Sequence, residues 1–225
     1  MPRLAPAPLF GREGDLDAIA SRFAEGARVV TLHGPGGVGK TSLARRFAAG
    51  APHVFCDLTE ARDDDVARVV AHALGAKGKD AALAAAVDAA NARGEVLVVL
   101  DNAEQAIEGV ARAAATIASG APRARLLVTS REPLRIAGEH VHPVAPLGVP
   151  EPGGDVQATD AGRLFVARAR AVRPSFDVAR AGAAVAAIVR RLDGLPLAIE
   201  LAAARVRVLD PAELAARLER GVDAL

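Results

Sequence analysis

The sequence predicts an α/β fold in which a five-stranded parallel sheet with interleaved helices is followed by a small all-helical domain. Three observations carry this. Short Val- and Leu-rich runs bounded by turn residues recur at 29–33, 53–58, 95–101, 125–130 and 141–147, as expected of strands buried on both faces. Between the first four lie segments with Ala, Leu and Val at helical spacing, at 40–49, 64–74, 81–92 and 104–119, and this alternation builds a parallel sheet. After the breaker-rich stretch 148–154 the pattern is helical only, at 160–172, 177–192, 196–208 and 211–220. Asp210 is the expected N-cap of the last helix, with Pro211 at its first position. The expected division is therefore an α/β domain at 1–148, a linker at 149–154 and a helical domain at 155–225.

Composition sets limits on function. The chain has 225 residues, 51% of them hydrophobic and 24% charged, which describes a globular protein with a sizeable core. A formal net charge of +1 supplies no field to recruit nucleic acid or an anionic membrane. The single cysteine, Cys56, excludes an internal disulfide framework or a cysteine zinc cage and fits a reducing compartment, so a cytoplasmic location is expected. The first eight residues contain no signal-peptide-like apolar stretch, and no run approaches the roughly 18 to 20 apolar residues that span a bilayer. Of the 28 basic residues only Lys40, Lys77 and Lys79 are lysine, which makes a lysine at a motif position more telling.

The segment Gly34-Pro35-Gly36-Gly37-Val38-Gly39-Lys40-Thr41 satisfies the P-loop pattern, with a strand leading in and an amphipathic helix leading out. Glycines at Gly34, Gly36, Gly37 and Gly39 let backbone N–H groups, Val38 among them, turn around a β-phosphate. Lys40 can reach the β and γ oxygens and Thr41 can ligate Mg²⁺, with Ser42 next in the helix. The bland alternative is a Gly-rich turn. A second acidic ligand is expected, and Asp101 ends the apolar run 95–101 at the strand end where open α/β sheets place ligands. Its alternative is a helix cap, since Asn102 and Gln105 have the spacing of a capping pair.

Asn102 follows Asp101 and cannot take a proton from an attacking water. Glu104 is the nearest candidate base, although its position suits equally a helix start where it complements the dipole. The fourth apolar run ends in the polar triplet Thr129-Ser130-Arg131, on the same rim as the P-loop, so Arg131 can touch a γ-phosphate. Its alternative is a surface arginine paired with Glu132 or Glu139. His140 and His142 share a strand face but lack a third ligand for a metal. Cys56 reads as a buried strand residue, and the arginines beyond Asp155 read as solvated helix faces.

The ordered set Phe10-Gly11-Arg12-Glu13, Gly34 to Thr41, Leu97-Val98-Val99-Leu100-Asp101-Asn102, Val128-Thr129-Ser130-Arg131-Glu132 and Gly194-Leu195-Pro196-Leu197-Ala198 resembles the core of the STAND class of signalling NTPases. That class includes the NB-ARC domains of plant resistance and apoptosome proteins. The stretches 130–134 and 191–206 further resemble the ATPase region of large actinobacterial and other bacterial transcriptional regulators of the LuxR and SARP types. The resemblance spans nearly the whole chain. It implies an ASCE/AAA-like sheet, Arg12 near the adenine, Arg131 as γ-phosphate sensor and Pro196 packed on the base. Members commonly carry an acid after the metal aspartate, whereas this chain has Asn102, which implies slow hydrolysis. Sensor and effector domains outside this chain, and nucleotide-dependent self-association, are implied as partners.

The expectation is thus an ATP/ADP switch with Mg²⁺, the nucleotide lying between the two domains, and with neither nucleic acid nor membrane bound directly. Its rivals are a P-loop enzyme such as a fast ATPase or kinase, which needs a placed base or an acceptor pocket, and a degenerate scaffold, which the intact Lys40, Thr41 and Asp101 disfavour.

Overall fold

The computed structural model describes residues 8–76 and 83–221. Lys77, Lys79, the first two residues of the helix expected at 81–92 and the N-terminal residues 1–7 lie outside the described residues. The chain divides into two compact units, one formed by residues 14–36 and 40–144, the other by residues 8–13, 37–39 and 145 onward.

The first unit is built on five strands: β1 (Val29–His33), β2 (His53–Asp57), β3 (Val96–Asp101), β4 (Ala124–Ser130) and β5 (Glu139–Pro143). All neighbouring strands run parallel, in the order β2-β3-β4-β1-β5, so the five-stranded parallel sheet is as expected. The carboxyl ends of β1 and β4 meet at His33 and Ser130, and those of β2 and β3 at Asp57 and Asp101.

Two expectations about strands need correction. Burial on both faces holds for the three central strands only. All six residues of β3 are buried, whereas β2 exposes His53 and Asp57 and β5 exposes His140 and Pro143. Helix α2 (Lys40–Ala48) packs on β1, β3 and β4, which leaves the edge strands less covered. The fifth strand was expected at 141–147 but runs Glu139–Pro143, because its partner β1 ends at His33, opposite Pro143. One more bond, from Val144 N–H to the His33 carbonyl at 2.7 Å, closes the ladder. Its start is pinned by the Glu139 carboxylate, which accepts from the N–H groups of Leu134 and Arg135 at 2.8 Å each.

Helix α1 (Glu13–Ala24) was not anticipated, since only Ile19 and Phe23 in it are buried and so narrow a stripe leaves little periodicity to read. Helices α3 (Val66–Ala73) and α4 (Leu83–Arg93) link β2 to β3. The helix expected at 104–119 is two elements, a short 3₁₀ turn at Ala103–Gln105 and helix α5 (Ile107–Gly120). The break is a backbone one: Asn102 sits in the left-handed region at φ 62° and Ala106 leaves helical values at φ −148° and ψ 58°. Cys56 is buried, which pushes its thiol up to about 12.

In the second unit, α6 (Asp160–Val172), α7 (Val178–Arg191), α8 (Pro196–Arg205) and α9 (Pro211–Glu219) pack around Phe165, Ile188, Ile199 and Leu214, all fully buried. Truncating a residue such as Phe165 to Ala costs about 3–5 kcal/mol. Three of the helices begin with side-chain caps, in which Thr159 accepts from Gly162 N–H, Asp177 from Ala179 N–H and Asp210 from Ala212 N–H. The segment before α6 is held by Leu147 N–H to the Gly194 carbonyl and Ala161 N–H to the Gly148 carbonyl, at 3.0 and 3.2 Å. Among the described residues no helix is long and apolar enough to cross a membrane.

Candidate functional site

The P-loop leaves β1 with Gly34 N–H bonded to the Ser130 carbonyl at 3.3 Å. Gly37 and Gly39 have φ of +76° and +100°, conformations that side chains with a Cβ resist, so these glycines are required by the loop's path. Lys40 opens α2 and folds back over the loop, where Nζ donates to the carbonyls of Gly34 at 2.8 Å and Pro35 at 3.0 Å. Burial lowers its pKa from the ordinary lysine value, an effect opposed by the charge of Glu104 and, less strongly, of Asp101. Ser42 is exposed on α2.

Asp101 ends β3 at 1% exposure, and its burial is compensated by two short hydrogen bonds. Its Oδ1 accepts from Thr41 Oγ1 at 2.8 Å and from Thr129 Oγ1 at 2.6 Å. The Thr129 hydroxyl in turn accepts from Asn102 N–H at 3.0 Å. Thr129 belongs to the polar triplet ending β4, yet its hydroxyl was not singled out in the sequence, where only Arg131 carried a recognisable chemistry.

The capping pair expected of Asn102 and Gln105 does not form. Asn102 makes no side-chain cap bond; its amide donates to Thr59 Oγ1 at 2.9 Å and to Asp57 Oδ1 at 3.4 Å. The left-handed backbone of Asn102 turns the side chain toward β2 and away from the turn that follows. Asp57 is held charged below its ordinary carboxyl range, chiefly by hydrogen bonds from the Thr59 hydroxyl and N–H. Neither Asp57 nor Thr59 was legible as a neighbour of Asn102, since 45 and 43 residues separate them.

Arg131 also departs from its bland alternative. Its partner is Glu104, with Nε to Oε1 at 3.1 Å, and not Glu132 or Glu139, the latter being committed to two backbone N–H groups. Glu104 faces Arg131 from the first turn of the 3₁₀ helix Ala103–Gln105. A Cβ placed on Gly36 would lie 3.2 Å from Arg131 Nη2, so the guanidinium rests on the P-loop. Lys40, Thr41, Asp101, Glu104 and Arg131 are thus collected at the carboxyl rim of the sheet.

In the second unit lie Arg12, Pro196 and Leu197. Arg12, 5% exposed, donates from Nη2 to the Val38 carbonyl at 2.8 Å. Pro196 is the first residue of α8, and a Cβ on Gly39 would lie 3.9 Å from its Cγ. Leu197, quoted in the Gly194–Ala198 set but assigned no role there, donates its N–H to the Gly37 carbonyl at 3.1 Å, and a Cβ on Gly37 would come within 3.0 Å of its own Cβ. Gly37 therefore answers both to its positive φ and to this approach. His140 is exposed, and His142 bonds to Asp15 at 2.8 Å. Among the described residues no group of three or more His, Cys, Asp or Glu is arranged to hold a metal.

Among solved structures, a Walker-type ATPase of Pyrococcus abyssi superposes with a TM-score of 0.62 at 18% identity, covering 95% of this chain and 73% of that one. The fold is that of a P-loop ATPase. Residues 22–127 of the chain match the family model described as an AAA domain. A STAND protein of Pyrococcus horikoshii with a tetratricopeptide repeat sensor superposes with a TM-score of 0.52 at 15% identity over 87% of this chain and 29% of its own.

Curated relatives include an uncharacterized protein of Mycobacterium tuberculosis, 38% identical over 218 residues, which are 92% of this chain and 53% of that protein. A second protein of the same organism, provisionally named an HTH-type transcriptional regulator, is 38% identical over 201 residues, 85% of this chain and 22% of its own length. The chain therefore spans about half the length of the first relative and less of the second.

Proposed function

We propose that the chain is the ATP/ADP-binding regulatory switch module of a STAND NTPase acting in signalling or transcription regulation, with slow hydrolysis. The observation that carries this reading is the pairing of an intact phosphate and metal apparatus with an amide where a base would stand. Lys40, Thr41 and Asp101 are in hydrogen-bonded order, while the Asn102 amide is engaged by Thr59. The STAND neighbour and the relative named as a transcriptional regulator support the regulatory context.

In this reading the amides of Gly34, Gly36, Gly37, Val38 and Gly39 cradle phosphate, Ser42 caps the cradle, and Lys40 supplies charge to the β and γ oxygens. The Thr41 hydroxyl and the Asp101 carboxylate, 2.8 Å apart, are hard oxygen donors of the kind Mg²⁺ takes beside phosphate. Bound there, Mg²⁺ would neutralise charge on the β and γ oxygens. Arg131 reads the γ-phosphate, and Glu104 is the acid that would assist a water. Arg12 and Pro196 serve the adenine. Residues 1–148 and 155–225 act as nucleotide-binding and helical domains joined by 149–154, and sensor and effector domains beyond this chain read the nucleotide state. The module works in the cytoplasm and contacts neither nucleic acid nor membrane itself.

Steady-state ATP turnover measured beside ATP and ADP affinity tests the proposal. Micromolar or tighter binding of both nucleotides with turnover below about 1 s⁻¹ is expected. Fast multiple turnover would replace the switch with an enzyme, and absence of binding would leave a scaffold.

A further inference from the structure

Glu104 and Arg131 follow different strands, Glu104 in the turn after β3 and Arg131 directly after β4, and they meet as an ion pair at 3.1 Å. The two sides of the pair differ in environment. The Arg131 side chain is 63% exposed and that of Glu104 only 14%. The second oxygen of the Glu104 carboxylate, Oε2, is buried without a hydrogen-bond partner, a costly state for a charged acceptor. The same carboxylate acts on Lys40 more strongly than any other charge there, and the guanidinium it holds rests against Gly36 of the P-loop. An anion of the protein's own thus already pairs with one of the two cations that a terminal phosphate would use and acts electrostatically on the other.

We propose that Glu104 is a specificity-determining residue that competes with the γ-phosphate for Arg131, so that a nucleoside diphosphate leaves the ion pair closed and a triphosphate has to open it. The inference rests on the reading of the P-loop as an ATP site. An ion pair with an exposed guanidinium is weak, and a phosphate of higher charge with several acceptor oxygens can displace it. The orphaned Oε2 reduces the resistance further, because opening the pair lets that oxygen find water. Glu104 therefore subtracts from ATP affinity selectively and leaves ADP affinity largely alone. It acts through Arg131, as a positioning residue.

The test is calorimetric titration of ATP and of ADP, with Mg²⁺ present, into the wild type, Glu104→Gln, Arg131→Ala and the double variant, with circular dichroism to establish folding. Glu104→Gln keeps the shape and an acceptor oxygen but removes the charge; Glu104→Ala serves as the second variant. ATP is expected to tighten about two- to fivefold relative to ADP in Glu104→Gln, the size set by an exposed ion pair, and this gain disappears when Arg131 is already alanine. Equal shifts for ATP and ADP, a gain that survives in the double variant, or a selective loss of ATP affinity each overturns the proposal. If the wild type and Lys40→Ala both fail to bind either nucleotide, the P-loop reading itself falls. Binding without the Arg131-dependent discrimination removes Glu104 alone.

Discussion

Thr41 Oγ1 donates to Asp101 Oδ1 over 2.8 Å although 60 residues separate the two. The first residues of α2 and the end of β3 are thereby fixed to each other, with two oxygen atoms side by side. Asp101→Asn is expected to abolish the Mg²⁺-dependent part of ADP affinity, about tenfold, while binding in the presence of a chelator changes little. Isothermal titration with and without EDTA measures both arms, and an unchanged Mg²⁺ response rules out Asp101 as a metal-side residue.

Lys40→Ala should weaken ATP and ADP alike, by roughly 10- to 100-fold, since a charge-assisted hydrogen bond contributes about 1.5–3 kcal/mol. The fold should survive, because the carbonyls of Gly34 and Pro35 that Nζ now serves belong to a loop and not to the core. Calorimetry showing unaltered affinity would refute the phosphate role.

Turnover should rise when Asn102 is replaced by an acid, if the missing base is what limits it. Asn102→Asp is the better variant, because the residue adopts φ 62° and Asp tolerates the left-handed region more readily than Glu. It should also lower the melting temperature, as a third carboxylate beside Asp57 and Asp101 repels both. A single-turnover rate equal to that of the wild type would show that Asn102 does not set the hydrolysis rate.

Arg131→Ala is predicted to cost ATP several-fold more affinity than ADP, because a γ-phosphate sensor has nothing to contact in the diphosphate. Equal losses measured by competition titration would exclude that role.

Pro196→Ala should reduce nucleotide affinity modestly and diminish the nucleotide-induced hydrogen-exchange protection of residues beyond Asp155, leaving Lys40 and Thr41 protected as before. Proline at the first helical position also stabilises α8 by itself. A change in protection that is the same with and without ADP would therefore reduce Pro196 to a helix start.

The sequence alone determined the features that are local in the chain. Apolar runs with Val and Leu specify the three central strands because a strand buried in a parallel sheet needs no partner identity to be recognised, and Gly34 to Thr41 declares its loop because phosphate-binding geometry demands glycines at fixed spacing. Asp210 and Pro211 marked the start of α9 for the same local reason. The tertiary structure decided what depends on pairing across distance. β5 stops at Pro143 because β1 stops at His33, Asn102 turns to Thr59 because its own backbone is left-handed, and Thr129 meets Asp101 because β3 and β4 are neighbours. Arg131 had acids beside it in sequence, Glu132 and Glu139, yet it pairs with Glu104, 27 residues earlier. Charge attraction is not selective, so which acid an arginine takes is fixed only by the strand ends that bring the two side chains to one rim.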